Sequence, residues 1–223
     1  MRKWIFVSLV LSAFFLEAHA DDTHCDNPLI SMSEQNPDVV ASICDAVDDA
    51  EALFQKCSLP ALQWPTEIRI VDELPRGCVA QFHCGEGRIE ILEPQAMDKR
   101  RNQDGVLGFL SIESYFQSIV VHELAHSVYD DEQCPFQSCI VANEYIAYAM
   151  QFMSLTPAER LAIRNNVELS PHVSREALNA TSLFLAPDLF VKNVWAHLST
   201  QNDVCTYVGQ ITSGSIFLDR DRH

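Results

Sequence analysis

The chain has 223 residues, and its 31 acidic against 15 basic side chains give a formal net charge of −16. That excess excludes nucleic acid and anionic membrane as partners, because a phosphate-binding face needs clustered Lys and Arg; the single basic run, Lys99-Arg100-Arg101, reads as a solvated loop. The length suits one domain, or one domain with a smaller lobe, and eight cysteines allow up to four disulfides.

At the N-terminus Arg2 and Lys3 precede an apolar run from Trp4 to Leu16, and Ala18-His19-Ala20 has the small-x-small pattern of a signal-peptidase site. The apolar run is shorter than the roughly 20 residues a bilayer span needs. The pattern predicts a signal peptide over residues 1–20, a mature chain from Asp21 without a membrane anchor, and export to a periplasm or to the exterior. Loss of Arg2, Lys3 and Glu17 makes the mature charge one unit more negative.

Beyond the leader, Asp38–Cys57 has helical spacing of apolar residues, and TEIRIVDEL reads as a strand. CVAQFHC, the turn Gly85-Glu86-Gly87 and RIEIL read as a hairpin. From about Ser114 onward the pattern is helical: first a run containing IVVHELAHSVYDD (Ile119–Asp131), then Val141–Leu155. Thr156-Pro157-Ala158-Glu159 forms a capping box that opens a helix through Arg164, and a last helix runs from Pro187 to about Leu198. A helix, a small antiparallel sheet and a set of helices define an α+β architecture. Cys44 and Cys57 stand about 20 Å apart on the first helix, so they do not bond to each other, whereas Cys134 and Cys139 bracket a short loop as a local bridge.

His122 and His126 are four residues apart, so on a helix both imidazoles project from one face and reach one metal ion. Glu123 lies about a hundred degrees round the helix, where its carboxylate can take a proton from a water without occupying a ligand position. Ile119, Val120, Val121, Leu124, Ala125 and Val128 surround these three with apolar side chains. Unpartnered polar groups there would cost several kcal/mol (about 2–7 each) in desolvation, which argues for a bound cation. Zinc in such a site takes three protein ligands and keeps one position open.

The third ligand is not the histidine of an H-x-x-G-x-x-H continuation, because Tyr129 and Glu132 stand where glycine and histidine would. Asp130, one turn further on, points past the ion. Glu144, in ANEYIAYAM, is the candidate: a turn through Cys134–Cys139 brings its helix back antiparallel, and its carboxylate completes a His, His, Glu tripod.

HELAH (His122–His126), followed after seventeen intervening residues by Glu144 in the pair Asn143-Glu144, resembles the gluzincin zinc metallopeptidases, the group that includes thermolysin and the M1 aminopeptidases. The resemblance implies a zincin-like fold with one zinc ion held by His122, His126 and Glu144, and with Glu123 as general base in hydrolysis of a peptide or protein substrate. It also implies a catalytic core over residues 21–155, a small helical lobe over 156–223, and a sheet edge that pairs with extended substrate, for which RIEIL is the expected strand. Tyr148 stands where thermolysin-like proteins carry an aspartate that orients the first zinc histidine. Tyr145, Tyr148, His172, His197 and Tyr207 are all candidates to stabilise an oxyanion. The other reading of the same tripod is a secreted protein that binds zinc structurally or sequesters it, without turnover.

Overall fold

The computed structural model describes residues 25–34, 36–129, 134, 136 and 138–219. The signal peptide expected over residues 1–20, and Asp130 and Glu132 of the motif region, lie outside the described residues. The elements in chain order are β1 (Ile30–Met32), α1 (Pro37–Lys56), β2 (Thr66–Val71), β3 (Ala80–His83), β4 (Arg88–Leu92), α2 (Pro94–Arg100), α3 (Ile112–Tyr129), α4 (Ile140–Ser154) and α5 (Pro157–Asn166). A 3-10 turn at Arg175–Ala177 leads to α6 (Ala180–Leu185), α7 (Pro187–Leu198) and α8 (Val204–Thr212). The architecture is α+β, as the order of periodicities predicts.

The sheet differs from the antiparallel one expected. Its strand order is β1-β2-β4-β3; β1, β2 and β4 are parallel, and only β3 runs antiparallel, against β4. The sequence hides this because β1 is a three-residue strand, and it is α1, returning the chain beside it, that makes the β1–β2 pair parallel. The predicted β3–β4 hairpin is present. Gly87, in the left-handed region at φ +59, closes its turn where a Cβ would meet the Pro65 carbonyl oxygen at 2.6 Å.

The hairpin assigns the sheet edge differently as well. RIEIL is β4, an interior strand between β2 and β3, so its alternation of buried Ile89 and Ile91 with Arg88 and Glu90 separates two faces of an inner strand. The edge nearest α3 is β3. Just before it, the Val79 carbonyl accepts from the Leu92 N–H at 3.0 Å. Antiparallel pairs alternate between hydrogen-bonded and open, so Ala80 and Phe82 turn their N–H and C=O groups to the outer edge.

Helix α3 is the centre of the molecule. It packs on β3, β4, α1, α2 and α4, and eleven of its eighteen residues are buried, as for a helix that is apolar nearly all round. Ser111 Oγ accepts from the Ser114 N–H at its N-terminus, and Ser42 of α1 donates to Glu113 in its first turn at 2.6 Å. Beyond it, α7 and α8 pack on α4, and one apolar core runs from Ile43, Phe54 and Ile89 to Phe190, Val194 and Val208. The Thr156–Glu159 capping box is formed.

Three disulfides join Cys25 to Cys44, Cys57 to Cys205, and Cys134 to Cys139. The last is the local bridge predicted, and Cys44 and Cys57 bond elsewhere as their separation requires. Such bonds fit an oxidising compartment. Among the described residues no helix is long and apolar enough to cross a membrane.

Candidate metal centre

Helices α3 and α4 supply the site from facing sides. His122 and His126 project from one face of α3 with their Nε2 atoms 3.1 Å apart. Glu144 reaches across from α4, with Oε2 at 3.6 Å from His122 Nε2 and Oε1 at 3.8 Å from His126 Nε2. The structure thus brings the three expected ligands together, and among the described residues this is the cluster of His, Cys, Asp and Glu able to hold a metal ion.

The spacing tests the fit. Ligand atoms at about 2.05 Å from a tetrahedral zinc ion are separated from one another by roughly 3.3 Å. The separations of 3.1, 3.6 and 3.8 Å are close to that value.

The hydrogen bonds behind the imidazoles point the same way. His126 donates from Nδ1 to Asn143 Oδ1 at 2.7 Å, and His122 from Nδ1 to Gln151 Oε1 at 3.1 Å. With both Nδ1 atoms facing acceptors, both Nε2 atoms carry lone pairs. Two lone pairs facing each other beside a carboxylate demand a cation between them, either a proton or a metal ion.

Glu123 is 7 % exposed and faces the same cavity from the next position on α3. Burial pushes its carboxyl up to about 7, with Glu144 adding to the rise; His126 and a hydrogen bond from the Phe82 backbone N–H oppose it. That N–H is one of those turned outward by the register of β3. For Glu144, burial raises the carboxyl, but when the cation between the imidazoles is a proton, the His122 hydrogen bond and the positive charge of the histidine pair outweigh it and hold the group below its ordinary value.

The cavity measures about 670 Å³ and is lined by β3, the start of α7, the faces of α3 and α4 that carry the site, and the segment from Arg100 to Leu107. Of the five residues expected as possible oxyanion partners, Tyr148 lines it, its ring 4.5 Å from that of His122. Tyr145 is buried elsewhere, its hydroxyl 2.8 Å from His197 Nδ1 and its ring beside that of Tyr207. His172 is exposed in a connecting segment.

The orientation of His122 corrects the role expected for Tyr148. The acceptor of its Nδ1–H is Gln151, three residues further along α4, while Tyr148 meets the imidazole edge to face. Gln151, Asn143 and the Phe82 N–H are site components that the motif did not reveal. A signal existed in α4: Asn143, Glu144 and Gln151 are amide or acid groups on a helix otherwise built almost wholly of apolar and aromatic residues.

These features define an α+β protein with a His, His, Glu cluster able to hold a metal ion. The chain belongs to a family of unknown function, DUF6639, whose model matches residues 30–221. No curated protein and no solved structure matches it.

Proposed function

We propose that this protein is an exported zinc-dependent metallopeptidase of zincin-like fold and gluzincin type, which hydrolyses peptide bonds with Glu123 as general base. The observation that carries the reading is the convergence of two Nε2 lone pairs and the Glu144 carboxylate at tetrahedral-edge spacing, with a buried carboxylate beside them that is not needed for binding. His122, His126 and Glu144 would hold the ion. A zinc ion bound there supplies Lewis acidity, polarising a carbonyl and bringing the pKa of a water to near neutrality.

The chain's own groups account for the rest. Glu123 takes a proton from water as the water oxygen bonds to the peptide carbonyl carbon, and passes it to the amine nitrogen as the C–N bond breaks. The Phe82 N–H fixes the direction of the Glu123 carboxylate. Tyr148, its phenol kept protonated by burial and by the nearby Glu144 and Glu123, lines the same cavity and would donate to a developing oxyanion. The outward N–H and C=O of Ala80 supply the edge against which an extended peptide can align. The disulfides support export, and the apolar run Trp4–Leu16 followed by Ala18-His19-Ala20 supports it independently.

Glu123→Gln in the zinc-loaded protein should keep the metal and lose hydrolysis of a denatured protein by several orders of magnitude. Hydrolysis that survives this substitution refutes the assignment. A wild-type protein that holds zinc stoichiometrically yet cleaves nothing would be a binding or storage protein instead.

A further inference from the structure

We propose that Arg101 and Tyr115 form a carboxylate-binding subsite in the cavity, about 10 Å along α3 from the metal centre. Tyr115, Ile119, His122 and His126 follow one another at helical spacing and all line the cavity. Seven residues separate Tyr115 from His122, which gives the distance at 1.5 Å per residue.

Over the Tyr115 ring lies the guanidinium of Arg101, its central carbon 5.0 Å from the ring centroid. The side chain is 8 % exposed and held in place: one terminal nitrogen donates to the Leu110 carbonyl at 2.7 Å and the other to Asp98. Its Nε–H is buried and has no acceptor among the described residues. Burying a cation with an unused donor is costly, and the cost is recovered when an anion arrives. Asp98 is 44 % exposed and shares its charge with solvent. Arg100 adds a second positive charge at the rim while its Nη1 is engaged by the carbonyls of Leu74, Pro75 and Cys78. The exposed Asp188, on the same rim, is held by Asn102 at 2.8 Å.

Val106, Leu107, Ile119 and Val191 give the same cavity an apolar wall. The ligand class that fits is a peptide carrying a carboxylate two or three residues from the reacting bond, since extended chain advances about 3.4 Å per residue. The carboxylate can belong to an Asp or Glu side chain or to the C-terminus, and Arg101 would read either through charge-assisted hydrogen bonds. The identity of the ligand as a peptide rests on the peptidase reading above.

The test is equilibrium binding to zinc-loaded protein carrying Glu123→Gln, which holds peptides without cutting them. The probes are a pool of short peptides with one Glu at varied positions and the same pool with Gln, each prepared as free acid and as C-terminal amide. A roughly ten- to hundredfold preference for Glu over Gln, or for acid over amide, is expected, and which of the two appears identifies the source of the carboxylate. Arg101→Gln in the same background should erase that preference and leave the Gln amide pool unchanged. Equal affinities for all four pools, or no binding of any, overturn the subsite without recourse to an Arg101 variant that must fold. A preference that survives Arg101→Gln in a folded protein overturns it too. If the preference is found while the wild type hydrolyses none of the peptides, the peptidase reading falls and the subsite stands.

Discussion

Ser118 decides which end of the Gln151 carboxamide faces His122. Its hydroxyl donates to the Tyr115 carbonyl at 2.8 Å, so its oxygen accepts from Gln151 Nε2 at 3.2 Å, and Gln151 Oε1 is left to accept from His122 Nδ1. This buried chain fixes the tautomer that leaves the His122 Nε2 lone pair in the cavity. Gln151→Leu should therefore weaken zinc binding about 10- to 100-fold, measured by competition with a chromogenic chelator. Gln151→Glu, which keeps an acceptor and adds negative charge, should retain or tighten it. Equal zinc affinity in the leucine variant would remove the relay from any role in ligation.

A buried carboxyl carries a stability cost whose sign is fixed. Glu123 has its carboxyl raised to about 7 in the folded protein from an ordinary value of 4.5. The native state thus binds more protons than the unfolded chain between those values, so this group's contribution is complete below pH 4.5 and is lost as pH rises through 7. The loss is about 3 kcal/mol for the metal-free protein. Glu123→Gln, neutral at all pH, should match the wild type in urea unfolding near about pH 4 and exceed it by roughly that amount near about pH 8, both after chelation. A variant that gains nothing at the higher pH would show that Glu123 is not held in a desolvated site.

The motif was legible because ligation imposes spacing: HELAH fixes two imidazoles on one helical face, and the capping box and Pro187 fix helix starts by local chemistry. Glu144 could be found because it is an acid on an apolar helix. What escaped the sequence depends on contacts remote along the chain. Whether β4 or β3 forms the edge is decided by β2 pairing with β4, and nothing inside RIEIL records that neighbour. Segments such as α2 and β1 are too short for periodicity to stand out. Gln151 and Ser118 read only as polar residues on apolar helices until their partners across the α3–α4 contact are in place, and Phe82 acts through its backbone N–H, which its side chain does not announce.

Glu144 completes the His, His, Glu cluster able to hold a metal ion, so on the proposed zinc reading its removal should be visible in metal content as well as in stability. Elemental analysis of purified Glu144→Ala should give substoichiometric zinc where the wild type holds one ion. At free zinc of about a hundred times its Kd, bound metal adds about 2.7 kcal/mol to wild-type stability. A chelator should accordingly lower the wild-type unfolding midpoint and leave that of Glu144→Ala nearly unmoved. Full zinc occupancy in the variant would mean that another group supplies the third ligand.

The helix that carries Glu144 is capped from the far end of the chain. Asp219 places Oδ1 2.9 Å from the Val141 N–H and Oδ2 2.9 Å from the Ala142 N–H, while Cys139 at the N-cap position makes no side-chain cap bond. Asp219 is buried, so nothing in the solvent replaces it. Asp219→Ala would leave two N–H groups at the start of α4 without acceptors, at a cost of about 2 kcal/mol in denaturant unfolding. Asn143 and Glu144 follow directly behind those two N–H groups, so loosening the start of the helix also moves the acceptor of His126 and the proposed third ligand together. Zinc affinity should fall with stability in Asp219→Ala, and fall less in Asp219→Asn, which keeps one of the two acceptors. Were affinity to stay at the wild-type value while stability dropped, the capping aspartate would serve folding alone, and the position of Glu144 would have to be set by its packing against α3.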